Sequence, residues 1–362
     1  MDFALSEEQR MLQDSIAGYL ESGCPLSRVR EVAEARGSRA DDVWQELTNL
    51  GVHGVLIDED YGGVGLGVLE AALIAEALGA AVAPVPYVAS SIMAPVALAE
   101  AGSTGQKETW LPQLAAGEVV AGVGLGEQIG RRESDGVTAA GGKLRGKAMF
   151  AMDAASADIL IIASDDGALH LVDPGASGVS RERLKTIDRT RTVSEITLDR
   201  VDAEVLPGSV TNREPLLTTI DVGRIILAAD TLGAAQVMTD KAIEYAKERR
   251  QFNRVIGSFQ AVKHMCAEMA AELEPCRSLI WYTAHAYSAI PEEGRLMACH
   301  AKAHLSEVGK FVARKSTEVH GGMGITDLLG LHYWFKRIGF NRQMLGAPEL
   351  VREEAARVQA WV

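Results

Sequence analysis

The hydrophobic period of this chain changes twice, and those changes limit the architecture more than any single motif. Up to about residue 118 apolar residues recur at helical spacing, and from about Val119 short β-branched runs replace them. After Pro215 the helical period returns and persists. The chain is therefore read as mainly α with a central β domain: an N-terminal helical domain over 1–118, a middle β domain over 119–213 and a C-terminal helical bundle over 214–362.

Local signals fill in this frame. Ser6-Glu7-Glu8-Gln9 has the spacing of a capping box, and Met11, Leu12, Ile16, Tyr19 and Leu20 follow on one face, which predicts a helix from Ser6. Asp41–Leu50 and Leu69–Leu78 repeat the pattern. Between them, Tyr61–Gly67 is dense in glycine but lacks the βαβ setting of a dinucleotide loop, so it reads as a turn between helices that can line a ligand mouth. In the middle, 158–163, 168–172 and 194–201 read as strands. Ile196 and Leu198 alternate with Glu195, Thr197 and Asp199, as in a mostly antiparallel sheet with one wet face. Residues 220–248, 259–289, 295–319 and 348–361 predict a four-helix bundle with a short tail.

Composition excludes some classes of function. The 362 residues carry 36 Lys plus Arg against 49 Asp plus Glu, a net charge of -13 that repels a phosphate backbone, so nucleic acid is not an expected partner. Four cysteines without a CxxC pair signal neither a disulfide framework nor a zinc site. The acidic start MDFALSEEQR does not read as a signal peptide, and a cytoplasmic location is expected. Residues 77–99 carry no charge, yet Pro84, Pro86 and Pro95 interrupt them and Ser90 and Ser91 add polarity, so they read as a buried helix-loop-helix and not a membrane span.

Two segments concentrate chemistry. Glu248–Gln260 places guanidinium groups, an aromatic ring and amides between two helices; guanidinium pairs with phosphate, and a ring with an amide seats a planar base. The bland alternative is a basic helix end that complements the macrodipole. His320-Gly321-Gly322-Met323-Gly324 ends a long helix with three glycines, which permit close backbone approach to a ligand or a simple helix C-cap.

Together and in this order the segments resemble the acyl-CoA dehydrogenase family. YAKERRQFNRVIGSFQAVKHMCAEM is similar to its signature and EVHGGMGIT to its second flavin motif, and the N-terminal MDFALSEEQRMLQDSIAGYL, the YGGVGLG loop and the α, β, α order agree. The resemblance implies a helical N-terminal domain, a β-barrel-like middle domain and a C-terminal four-helix bundle. It also implies FAD at a subunit interface, oxidation of the Cα–Cβ bond of an acyl-CoA and an electron-transfer flavoprotein as acceptor. By the same resemblance Arg249 meets the FAD pyrophosphate, Phe252 and Gln260 surround the adenosine half, Gly321, Gly322 and Gly324 line it, and Glu318 stands where glutamine is usual. Arg224 matches an arginine beneath the substrate.

The remaining positions depart from the family pattern. Gly126-Glu127-Gln128 replaces the T-E-P flavin loop, Phe150 stands for an aromatic over the flavin, and Met152 replaces a threonine. The catalytic glutamate is absent from both usual places, which are Leu345 and Gly223 here. Asp230, two turns after Gly223 on the same predicted helix, is the best substitute for the base, and its bland reading is a buried acid paired with an arginine. His300 and His304 have metal-like spacing without a third ligand, so no metal is expected.

The resemblance therefore points to a glutamate-lacking subunit of a heterotetrameric enzyme of lipid or steroid catabolism, acting on a bulky acyl-CoA beside a homologous subunit. The alternatives are a self-associating tetramer that uses Asp230, and a non-catalytic binding or assembly protein.

Overall fold

The computed structural model describes residues 4–37, 39–130 and 136–361. In chain order the helices α1 (Glu7–Gly23), α2 (Leu26–Ala35), α3 (Asp41–Asn49), α4 (Val68–Ala80), α5 (Ala94–Ala101) and α6 (Thr104–Ala115) come first. The strands β1 (Ala121–Gly124), β2 (Gly136–Ala140), β3 (Lys143–Met152), β4 (Ile159–Ala163), β5 (Leu169–Val172), β6 (Val179–Arg183), β7 (Val193–Asp202) and β8 (Glu204–Val205) follow. The long helix α7 (Glu214–Glu248) leads into a hairpin of β9 (Arg250–Gln251) and β10 (Arg254–Val255). Helices α8 (Gln260–Ala289), α9 (Pro291–His320), α10 (Gly322–Ile325), α11 (Leu331–Gln343) and α12 (Pro348–Val358) complete the chain. The expected α, β, α order is borne out.

Contacts group these elements into two compact units. One unit combines Arg30–Ala71 with Pro84–Arg224. Its sheet has the order β6-β7-β3-β1-β4-β5-β8 with β2 on β3, antiparallel except for β1 beside β4. Leu144, Ala148, Leu160, Ile162, Ile196 and Leu198 share its core. Ile196 and Leu198 are buried while Asp199 is exposed, as the alternation predicts.

Residues 84–99 of this unit bend as the prolines require. Tyr87–Met93 form a buried π-helical turn before α5, and the Tyr87 hydroxyl donates to Ala71 O at 3.0 Å. Among the described residues no helix is long and apolar enough to cross a membrane.

The other unit comprises Met1–Val29, Ala72–Ala83 and Ile225–Val362. Helix α1 starts as its capping box dictates: Gln9 N donates to Ser6 Oγ at 3.1 Å and Ser6 N to Gln9 Oε1 at 2.9 Å. Helices α4 and α7 cross at glycine. A Cβ on Gly79 would lie 2.0 Å from Asp230 O, and one on Gly233 1.8 Å from Glu76 O, so any side chain there forces the helices apart. Helices α8 and α9 form a long pair, and Cys299, Ala303, Val351 and Ala355 join α9 to α12.

Helix α11 is the element the periodicity does not anticipate. Arg337 and Asn341 lie fully buried on its inner face beside Trp334 and Ile338, so the apolar stripe is broken where it should be read.

Candidate active site

Within the sheet-containing unit, Gly126–Gln128 form a 3-10 turn directly after β1. Its polar groups are engaged locally. Glu127 Oε1 accepts from Met149 N, while Gln128 donates to Ser164 O at 2.7 Å and accepts from Arg213 at 2.9 Å. A Cβ on Gly126 would stand 2.9 Å from Met149 O. Phe150 lies where β3 and β7 lose register between Ala148 and Ala151, at φ 55° and half-buried. This bulge turns an aromatic residue out of the ladder at a strained backbone position, as bulges beside binding sites do. Met152 is buried on β3 opposite Val123. The turn therefore offers a ring at Phe150 and no hydroxyl where the family pattern has threonines.

The same unit holds Arg224 and Asp221, both buried and 3.5 Å apart on α7, with Gly223 beside them. The glycine loop lines a cleft of about 400 Å³, where Tyr61, Gly65 and Leu66 face Leu56, Pro95 and Leu111. Lining a ligand mouth is the role the sequence left open for that loop.

In the helical unit, the segment after α7 is a hairpin whose two-residue loop is Phe252-Asn253, at φ 50° and 62°. Positive φ at both positions suits the right-handed strand twist, and Asn tolerates it. Phe does not, and its ring is nonetheless 86% exposed. A strained aromatic held in solvent is the signature of a group kept for contact with something else. Phe259 supports it edge-on at 6.1 Å, with the Arg254 guanidinium 3.9 Å from the Phe259 ring. Arg249 and Gln260 flank the hairpin, both exposed.

The glycine segment lies at the same end of this unit. Tyr245, whose carbonyl accepts from Arg249 N, packs its ring 4.6 Å from that of His320, the residue before Gly321. Gly321 has φ 59° and ψ -138°, a conformation open essentially to glycine alone. Gly321 and Gly322 are exposed with open space around them. Gly324 differs: it is buried, and a Cβ would meet Thr317 O at 2.7 Å, so it serves packing. Glu318 is exposed and pairs with Lys315 at 3.4 Å.

The two base positions and their substitute are also resolved. Leu345 is buried at φ 55°, and Gly346 follows at φ 106°. Lys302 on α9, fully buried, donates to Asn341 O, Arg342 O and Gly346 O at 2.8, 3.2 and 3.1 Å. Its ammonium thus caps α11 and fixes the turn that carries Leu345. Asp230 is 1% exposed; Arg337 donates to its Oδ2 at 3.1 Å and Asn341 to its Oδ1 at 2.7 Å. Arg337 also donates to Val82 O and Ala83 O. The geometry is that of the bland alternative, a buried acid paired with an arginine. His300 and His304 are exposed on α9, and no metal-binding cluster occurs among the described residues.

Lys302, Arg337 and Asn341 escape sequence reasoning because each looks like an ordinary polar residue of a helix. Only the distance of their partners along the chain shows otherwise.

The acyl-CoA dehydrogenase N-terminal domain matches residues 6–118, and the acyl-CoA dehydrogenase C-terminal domain matches 215–360. The chain belongs to the acyl-CoA dehydrogenase family. Acyl-CoA dehydrogenase IpdE2 of Mycolicibacterium smegmatis is 28% identical over 99% of this chain and 100% of its own. The ChsE4-ChsE5 complex from Mycobacterium tuberculosis contains a chain 26% identical, with TM-score 0.92 and full coverage of both chains. The Tcur3481-Tcur3483 steroid ACAD contains one 29% identical, with TM-score 0.88 over 98% of each.

FAD is the cofactor of this family. Its phosphorylated, aromatic half fits the donor set of the helical unit: an exposed guanidinium, an exposed ring and bare glycine backbone. The turn at Gly126 fits an isoalloxazine less well, since among the described residues it offers the ring of Phe150 and carries Gly126 and Met152 where the family pattern has threonines.

Proposed function

We propose that this chain is the glutamate-lacking subunit of a heteromeric acyl-CoA dehydrogenase acting on a bulky, steroid-derived acyl-CoA. One observation carries the reading. The residue at the family's usual base position is Leu345, buried in a turn clamped by Lys302; of the buried acids on α7, Asp230 is locked onto Arg337 and Asn341 and Asp221 lies 3.5 Å from Arg224. Proton abstraction needs a carboxylate free to meet the substrate α-carbon. A homologous partner subunit supplies it.

Bound FAD supplies the hydride acceptor. In this chain Arg249 pairs with its phosphates, Phe252 and Gln260 flank the adenosine, and Gly321 and Gly322 allow backbone to approach, as the exposure of all five supports. Glu318 borders this group, and Gly324 seats it by close packing. Gly126 and Phe150 form a reduced isoalloxazine contact, and Arg224 lies beneath the acyl thioester. The likeness to IpdE2 and to chains of the ChsE4-ChsE5 and steroid ACAD structures supports the substrate class and the shared assembly. An electron-transfer flavoprotein takes the electrons.

Asp230 as base in a self-sufficient tetramer is disfavoured, because its ionised oxygens would have to leave both partners and strip Arg337 of its buried counter-charge. A purely structural role leaves the exposed, strained Phe252 without a purpose. The chain is tested by purification alone and with a co-expressed homologue that carries the glutamate. Flavin and acyl-CoA turnover that appear only in the pair support the reading; a yellow, active protein from this chain alone refutes it.

A further inference from the structure

We infer that a basic cleft between the end of α2 and the β6–β7 connection, within the sheet-containing unit, is a binding site for a phosphate-bearing small molecule. The cleft measures about 260 Å³ and is lined by Arg36, Arg183, Lys185 and Arg189, with Ala33 and Asp188. Four cations converge there on a chain whose net charge is -13.

Among the described residues Arg36, Lys185 and Arg189 take part in no ion pair. Arg183 donates to the carbonyls of Arg36 and Gly37, which anchors its guanidinium but leaves its charge uncompensated. Burial, and next the neighbouring Arg36 charge, hold Arg183 below the usual arginine range. The lining holds one carboxylate against these four cations, the buried Asp188, whose Oδ1 accepts from Thr190 N at 2.8 Å and Thr190 Oγ1 at 2.6 Å.

Arg36 ends α2 as its left-handed cap, at φ 52° with Gly37 N donating to Val32 O at 3.0 Å, so the helix end sets it at the rim of the cleft. Like charges crowded together are unfavourable without a ligand, and an anion with several oxygens relieves them. Guanidinium forks match phosphate oxygens in pairs, which favours phosphate over a halide or a single carboxylate. The volume is below that of drug-sized pockets, so it takes a phosphoryl or pyrophosphoryl group and leaves any larger body outside. None of these residues belongs to the flavin or acyl-CoA elements, so the inference stands apart from the proposed reaction.

Titration calorimetry of the purified protein, or of its co-expressed complex, with sodium pyrophosphate and with ADP tests this, with potassium chloride at matched ionic strength as control. Saturable binding of pyrophosphate is expected, weakened about ten-fold or more in R36Q and again in R36Q/R189Q, in line with loss of charge-assisted bonds. Both side chains are exposed, so the variants should keep the wild-type Tm. ADP binding tighter than pyrophosphate identifies a nucleotide as the source; equal binding identifies the free anion. Heat that tracks ionic strength alone, or unchanged affinity in the double variant, overturns the site.

Discussion

Asp230 on α7 and Arg337 on α11 face each other at 3.1 Å, 107 positions apart in sequence and both without meaningful exposure. The pair joins two helices of one unit, and Arg337 extends it to the carbonyls of Val82 and Ala83 after α4. A buried charge pair of this kind is costly to break from one side, because the remaining ion stays buried.

Asp230→Ala is therefore expected to destabilise the protein by about 3 to 5 kcal/mol. Urea unfolding measures the loss. A variant with unchanged stability and selectively abolished proton abstraction would return Asp230 to the mechanism.

Lys302→Met removes a buried ammonium from three carbonyls, at a cost of about 3 kcal/mol. The turn that holds Leu345 should open locally, and amide exchange around 344–347 should accelerate by about two orders of magnitude. Unchanged protection there would show that packing alone fixes the turn.

His53 gives the fold a pH dependence. It is buried, stacked on Trp44 at 3.6 Å, with Nδ1 3.0 Å from Ser91 Oγ and Nε2 3.0 Å from Trp44 O. Burial lowers its pKa to about 4, partly offset by the bond to Trp44. The unfolded chain takes up a proton that the folded one resists, so stability is intact above about pH 6.5 and falls as the pH drops towards 4. Between pH 7.5 and 5 this amounts to about 2 kcal/mol. H53Q should lose that increment of the slope in paired urea titrations, and an identical slope would contradict the assignment.

Arg249→Ala should weaken FAD retention in the assembled enzyme by about ten-fold or more, since a charge-assisted contact is lost, without changing the Tm of flavin-free protein. Flavin absorbance after gel filtration reads it directly. Full occupancy in R249A would remove Arg249 from the cofactor site.

What the sequence discloses follows from how local each signal is. Ser6 and Gln9 cap α1 within four residues, and Ile196 and Leu198 alternate along one strand, so both are legible. Strand β1, Ala121–Gly124, is too small and glycine-rich to announce itself, and α11 buries Arg337 and Asn341 where an apolar stripe is sought. Arg249–Gln260 and Gly321–Gly322 carry their proposed chemistry in contiguous residues, so a sequence motif can single them out. The Asp230 partners and the Lys302 clamp depend on residues tens to more than a hundred positions away, and Phe150 owes its setting to a bulge that only the β3–β7 register reveals.

The central claim is that this chain completes, and does not by itself constitute, an acyl-CoA dehydrogenase. Its most direct test is flavin content and acyl-CoA-dependent reduction of an electron acceptor, measured for the chain alone and for the chain co-purified with a glutamate-bearing homologue. The account predicts a colourless, inactive protein alone and a flavin-loaded, active complex whose turnover is lost when the partner's glutamate is replaced by glutamine. Flavin binding and turnover by this chain in isolation would contradict it.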